Sequence, residues 1–502
     1  MRKDDDMNNK FLILIFLVTL FLLSNLVFAA EEIPSEEGCF DIVIKNGRIM
    51  DPETELDQIG LNIGIRDGKI IRISEEPLEG KREIDAGGLV VAPGFIDPLS
   101  YDPNPVGNWY KLGDGITTVL VLHGGTVNPA SYYSYYEKEG QAINYGVSFF
   151  VAEMRVGLGL SPYQHANEEQ VVKMVEKAEK ALKEGAMAIS FSLEYYPGTG
   201  ADEIIPLMKL AASYNVPVFF HVRYSTMYGE GGNNIDALNE VLDYARETGA
   251  AIHIDHINST GGTYSMEESL SILREAREEG LKVTACTYPY NYWATRLSSA
   301  RFDAGWQERF QISYEDLQLI GHEERMDKES FYENRAKYGV LAAAYAIPEE
   351  DVVRSIEEDF VMIGSDGMIE PDPNGGPPGM NNHPRGAGNC SRLIAKYVRE
   401  EEVITLMEAI KKMTLLPAQL LEGQVPALRK KGRLQEGMDA DIVIFDFENI
   451  KDCATVVNPA QYSEGINYVL VNGKVVIDED GIHKDVRAGQ PLKSEFKIQE
   501  SN

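Results

Sequence analysis

Apolar and polar positions along the chain fall into three rhythms. From Phe11 to Phe28 almost every residue is apolar, broken only by Thr19, Ser24 and Asn25. Near both ends of the remaining chain, short β-branched runs alternate with turn signals. Asp41-Ile42-Val43-Ile44 leads to Asn46-Gly47, and Leu61-Asn62-Ile63-Gly64-Ile65 leads to Asp67-Gly68. The pattern returns in Asp441-Ile442-Val443-Ile444 and in Val469-Leu470-Val471 before Asn472-Gly473. Asn-Gly and Asp-Gly pairs between β-branched runs predict hairpins. Two such half-sheets from opposite ends, 39–92 and 422–492, most simply make one small β domain with residues 93–421 inserted into it.

The insert has helical period. Asn167 caps a helix in which Val171, Val175, Ala178 and Leu182 share a face, stopped by Gly185, and the apolar run Ala186 to Leu193 comes next. Helix 201–214 precedes a strand at 216–222. Helix 234–248 precedes Gly249 and a strand at 251–257. Helix 266–279 precedes Gly280 and a strand at 281–287. Each unit spans roughly 30 residues, the length of a βα pair, so the expectation is parallel strands wrapped by helices, a (β/α)8-type barrel. No Gly-x-Gly-x-x-Gly opens a helix after the first strand, which argues against a dinucleotide fold.

Composition narrows the partners. The chain has 502 residues and a formal net charge of −32, so overall charge does not recruit nucleic acid. Four cysteines, Cys39, Cys286, Cys390 and Cys453, are too scattered for a disulfide scaffold or a Cys-rich zinc module. Lys10, the apolar run and Val27-Phe28-Ala29-Ala30 have the layout of a secretory signal over 1–30, with an uncleaved anchor as the alternative. Met7 offers a better start for such a signal than Met1, because Asp4 to Asp6 are out of character there. The expectation is an exported protein, extracellular or periplasmic, with no membrane partner beyond that segment.

Candidate chemistry gathers at predicted strand ends, where barrel enzymes keep their active sites. His221 closes the strand from Val216, and His256 closes the next, with His253 three residues earlier. Asp366 follows Phe360-Val361-Met362-Ile363-Gly364-Ser365. Two imidazoles and a carboxylate on neighbouring strand ends can converge on one metal ion and one water, and zinc is the usual ion for such nitrogens. The carboxylate can carry the water's proton to a leaving group. Taken singly, each is equally a hydrogen-bonded residue at a strand end or in a turn.

Several segments resemble the amidohydrolase superfamily. They are Ala92-Pro93-Gly94-Phe95-Ile96-Asp97, Gly115-Ile116-Thr117-Thr118-Val119, His221-Val222-Arg223, His256-Ile257-Asn258-Ser259, Ser365-Asp366-Gly367, His383-Pro384-Arg385-Gly386, Lys412-Met413-Thr414 and Gly432-Arg433-Leu434. Within the superfamily the chain is most similar to the D-aminoacylases and the N-acyl-D-glutamate deacylases, with Phe302 to Gln318 the most specific stretch. The resemblance implies a distorted (β/α)8 barrel inserted into a small β-sandwich built from both chain ends. It also implies zinc-dependent hydrolysis of an N-acyl-D-amino acid, a small-molecule substrate, to a carboxylate and a free D-amino acid. By the same resemblance His221 and His256 are zinc ligands, Asp366 is the catalytic acid/base and Arg385 takes the substrate α-carboxylate. Tyr288 belongs to the same cluster. Arg296 takes a side-chain carboxylate, with Arg301 close by.

The chain departs from that family in two places. Leu99 and Tyr101 stand where the family has His-x-His, and neither is a zinc ligand, so one zinc ion is expected rather than two. Gly124 stands where typical D-aminoacylases have a cysteine ligand. Adjacent His123 can complete a three-His site with an open fourth position, or it only packs in a loop. No lysine occurs between Ala186 and Tyr196, which leaves no carboxylated-lysine bridge. Two other readings stay open: a degenerate, non-catalytic binding protein, and a hydrolase of another amide, such as a cyclic one. Glu194, after the fourth candidate strand, is expected to be an exposed carboxylate, with an extra metal ligand as the alternative, and Tyr132, Tyr133, Tyr135 and Tyr136 either line the site's mouth or sit on a solvated loop.

Overall fold

The computed structural model describes residues 39–496 apart from 230, 373–375, 377 and 379–381. Segment 1–30, read as an export signal, lies outside the described residues. The described residues from Asp41 to Phe496 belong to one unit, which holds the sheets and helices described below.

Strands from both chain ends hydrogen-bond into one nine-stranded sheet. The two halves join where Ile442–Phe445 pairs antiparallel with Val90–Pro93, which itself runs parallel to Phe40–Asp51. Ile44, Ile63, Ile65, Ile442 and Ile444 bury the sheet's apolar cluster. Asp67-Gly68 turns Leu56–Arg66 into Lys69–Ser74, and Asn472-Gly473 turns Ile466–Val471 into Lys474–Asp478, as their dipeptides predict. Asn46-Gly47 does not make a hairpin. The strand Phe40–Asp51 runs straight through it with a register shift, a bulge with Asn46 at φ 61°. The neighbouring strand explains the glycine: a Cβ on Gly47 would lie 2.5 Å from Cγ2 of Val91.

Between these ends lie two parallel sheets. One holds Phe95–Asp97, Ile116–Val121 and Asn144–Val147. The other runs Phe149–Phe150, Ile189–Ser192, Val218–His221, Ile252–Ile254, Val283–Thr287, Val361–Ile363. They meet where Met187 N–H donates to Val147 O at 2.9 Å and Phe149 N–H to Ala188 O at 2.8 Å. Their far edges also touch. Asp97 accepts hydrogen bonds from the Ser365 backbone N–H at 2.9 Å and from the buried Lys111 ammonium at 2.7 Å. The connecting helices obey their sequence signals. Glu168–Lys183 starts at an Asn167/Gln170 capping box, and Asn234–Thr248 ends at left-handed Gly249.

Alternation along the strands sets which side chains face the interior. Val218 and Phe220 pack under the helices, while Phe219 joins Leu99, Leu120, Cys286 and Met362 inside. His221, two residues beyond Phe219, therefore points inward at the strand's end.

A fourth sheet was not legible in the sequence. Trp293–Arg296, Leu341–Ala344 and Leu317–Leu319 pair antiparallel within the long excursion between Val283–Thr287 and Val361–Ile363. Short alanine-rich strands such as Leu341–Ala344 carry little β propensity. Trp293, Phe302, Trp306, Phe310 and Phe331 hold this excursion together as one aromatic cluster.

Candidate metal centre

Three imidazoles converge at the C-terminal ends of the parallel strands. His123 lies just after Ile116–Val121, His221 ends its strand, and His256 lies just past Ile252–Ile254. Ring nitrogens of all three lie within 4.8 Å of one another. His256 reaches the cluster by breaking strand alternation. Ile252 and Ile254 face the helices and His253 faces inward, so a continued strand would turn His256 away. Its φ of 28° re-aims it, and Asp366 also sits in the left-handed region, at φ 48°. Non-glycine residues held in the left-handed region concentrate at functional sites, where surrounding structure imposes the strain.

Each imidazole is held by its outer nitrogen. His123 Nδ1 lies 2.8 Å from Asp255 Oδ2, and His221 Nε2 lies 2.8 Å from Glu194 Oε2. His256 Nδ1 lies 3.2 Å from the hydroxyls of both Ser259 and Thr260. With protons on those outer nitrogens, the inner three, His123 Nε2, His221 Nδ1 and His256 Nε2, present lone pairs to one point. His221 Nδ1 and His256 Nε2 are 3.2 Å apart. Tetrahedral zinc with Zn–N bonds of 2.0–2.1 Å separates neighbouring nitrogens by about 3.3 Å. The donor set and its outer partners fit a metal ion.

Electrostatics agree with ligand chemistry. Burial pushes the His221 pKa down against the opposing pull of Glu194, and burial pushes His256 well down, helped by the two neighbouring imidazoles. Both are neutral near pH 7, the state in which imidazole binds metal. His123 differs: burial favours its neutral form, but the Asp255 hydrogen bond and Asp366 outweigh that and raise it. Burial would raise Glu194, yet Arg301 and the His221 hydrogen bond bring it down to about 2.

Asp366 stands beside the cluster, with Oδ1 3.8 Å from His123 Nε2 and Oδ2 3.8 Å from His256 Nε2. Arg385 donates to Oδ2 from Nη2 at 2.5 Å and to the Asp366 carbonyl from Nε at 2.8 Å. Its Nη1 is buried and has no hydrogen-bond partner among the described residues, a donor left over for something else. Tyr288 backs this guanidinium, which lies 4.4 Å from its ring centroid. Arg296 lines the rim of the cavity, its guanidinium 5.7 Å from the ring of exposed Tyr338. Arg301 lies deeper, stacked 4.1 Å over Trp293, with Nε 3.3 Å from Glu194 and Nη2 donating to Ser259 O. The cavity over the cluster measures ≈ 1280 Å³.

Glu194 is not the exposed carboxylate its sequence context implied. It is largely buried and accepts hydrogen bonds from His221 and from Ser225 at 2.6 Å. Asp255 went unread, and Arg301 was placed only as a neighbour of Arg296, not as the partner of Glu194. Asp255, next to His256, could have been found as the inward position after His253, whereas nothing in the sequence ties Arg301 to Glu194. The tyrosines of Pro129–Glu139 do not line the cavity: Tyr133 is buried, donating to Leu492 O at 2.6 Å, and Tyr132 and Tyr136 pack around Tyr145. Gly124, in the cysteine position, has space beside it: a Cβ there would meet only Val121 Cγ1, at 3.9 Å.

Comparison with known proteins gives the same identity. Residues 111–476 match the Amidohydrolase family. The N-acyl-D-glutamate deacylase of Alcaligenes xylosoxydans xylosoxydans is 30% identical over 488 residues, covering 88% of this chain and 94% of its own. The D-aminoacylase of the same organism is 27% identical over 89% of this chain and 96% of its own. The crystal structure of the Bordetella bronchiseptica N-acyl-D-glutamate deacylase, complexed with zinc and a phosphonate mimic of the tetrahedral intermediate, superposes with a TM-score of 0.78. It is 27% identical, over 91% of this chain and all of that one. This chain belongs to the amidohydrolase family, the metal-dependent hydrolases of amides.

Proposed function

We propose that this protein hydrolyses the amide of N-acyl-D-amino acids, with N-acyl-D-glutamate as the leading substrate, on a (β/α)8 barrel closed between Asp97 and Ser365. The observation that carries the reading is the convergence of His123, His221 and His256 beside a clamped Asp366. These three imidazoles would hold one zinc ion, and the chemistry it would supply is Lewis-acid polarisation of the amide carbonyl and a lowered pKa for a water.

The chain's own groups do the rest. Asp366 accepts the water's proton on its carboxylate and delivers it to the amide nitrogen as the C–N bond breaks. The spare Nη1 of Arg385 takes the substrate α-carboxylate, which brings the amide up to Asp366 in one orientation. Among the described residues Arg296 has no carboxylate partner, so it is available to a substrate's second carboxylate, whereas Arg301 already faces Glu194. Export rests on the apolar segment before residue 30 alone, and the N-terminal sequence of the mature protein tests it.

Turnover of N-acetyl-D-glutamate against N-acetyl-D-leucine tests the substrate. A charge-assisted hydrogen bond is worth about 1.5–3 kcal/mol, so the glutamate derivative should lead by about ten- to a hundredfold in kcat/KM. Arg296→Ala should erase most of that lead, and Asp366→Asn should abolish release while leaving binding. Zinc-loaded protein that binds the substrate and releases no D-glutamate would make it a non-catalytic binder instead.

A further inference from the structure

Asp366 is within reach of two incompatible roles. Its oxygens stand 3.8 Å from His123 Nε2 and His256 Nε2, near enough to join the imidazoles on one ion. A carboxylate bound that way has lent its lone pair to the metal and is a poorer proton acceptor. Two groups hold it where it is. Arg385 grips Oδ2 and the backbone carbonyl, and the Tyr101 hydroxyl donates to Oδ1 at 3.0 Å.

Tyr101 has no other evident task. It comes after the strand Phe95–Asp97 on a segment whose Leu99 is fully buried, with its Cβ against the backbone of Gly364. That packing turns the Tyr101 ring toward the cavity, where it is 37% exposed. A phenol suits the place. It donates one proton to a carboxylate and, being neutral, does not compete for the ion, whereas a shorter apolar side chain would leave Oδ1 without a donor.

We propose that Tyr101 is a positioning residue that holds the Asp366 carboxylate off the metal and so keeps it available as a base. The kinetic side of this inference rests on the deacylase function, but the structural side does not.

The test uses Tyr101→Phe, which removes the hydroxyl alone, with Asp366→Asn and the double variant, each loaded with Co²⁺ as a visible probe of ligand number. Tyr101→Phe should bind the same amount of cobalt with an altered d–d band, as the released carboxylate adds a ligand. That alteration should vanish when Asp366→Asn is also present. With N-acetyl-D-glutamate, kcat should fall by about 10- to 100-fold, the worth of one hydrogen bond to a charged group, and KM should stay within about twofold. An unchanged cobalt band overturns the proposal, and so does a change that persists without the Asp366 carboxylate. A wild type that releases no D-amino acid refutes the deacylase reading, and the cobalt comparison still decides the role of Tyr101.

Discussion

Nε2 of His221 donates to Glu194 Oε2 across 2.8 Å, and that carboxylate is bound in turn by Ser225 and faced by Arg301. The relationship fixes the ring so that Nδ1, not Nε2, points at His256. Metal-binding imidazoles depend on such outer partners, whose loss costs about 10- to 100-fold in affinity. Glu194→Gln should therefore weaken zinc by that amount, because an amide presents its oxygen less firmly and leaves Arg301 without a counter-charge. Competition with a chelator measures it, and an unchanged affinity would mean that the ring is oriented by packing alone.

Leu99 and Tyr101, standing where the family has two imidazoles, lead us to expect a single ion. Leu99 is sealed in the interior with Leu120, Cys286 and Met362, and Tyr101 spends its hydroxyl on Asp366. Purified protein should hold about one tightly bound zinc per chain, and His221→Ala and His256→Ala should each remove it. Elemental analysis giving two tight equivalents would contradict this.

The parts of this architecture with a local signal were legible in the sequence. Helix 201–214 and helix 234–248 match their expected bounds, because capping residues, glycine stops and a 3.6-residue period are all written within a few turns. His221 and His256 announced themselves as imidazoles at strand ends. Asn46-Gly47 misled because a bulge and a hairpin can both be made with a left-handed Asn before Gly, and here the glycine serves the close approach of Val91 instead. Glu194 misled for a different reason. A carboxylate is expected in water unless partners are present, and those of Glu194 are His221, Ser225 and Arg301, the last of them 107 positions away in an excursion whose antiparallel strands have weak propensity.

Gly124 offers a gain-of-ligand test. Its carbonyl accepts from the hydroxyls of Ser148 and Ser190 at 2.5 and 2.6 Å, which fixes the backbone beside His123. A Cβ fits there without a clash. Gly124→Cys should fold normally and bind metal more tightly, since a thiolate adds a strong ligand to the imidazoles. Cobalt-loaded variant should show sulfur-to-metal charge transfer, absent from the wild type. A variant that folds, binds cobalt and lacks that band would place Gly124 outside the coordination sphere.

Lys412 gives the Lys-Met-Thr segment a structural meaning and a pH dependence. Its buried ammonium donates to the carbonyls of Val361 at 3.0 Å and Glu358 at 2.5 Å, closing the base of the strand that delivers Asp366. Burial lowers its pKa from 10.5 to about 8, against the pull of Asp359 and Glu358. The folded state thus disfavours the charged form. That penalty is complete below about pH 8, shrinks as the folded protein loses this proton while the unfolded chain keeps it, and is gone above about pH 10.5. The Lys412 contribution to stability therefore rises with pH across that window, by an amount on the order of 3 kcal/mol if the whole shift is realised. Global effects of the −32 net charge run the other way, so the comparison must be with Lys412→Met at each pH. The wild type should gain on the variant in urea unfolding between about pH 7.5 and pH 9.5. A stability difference that stays flat over that range would mean that Lys412 keeps an ordinary pKa and that its carbonyl contacts, not its charge, are what the fold uses.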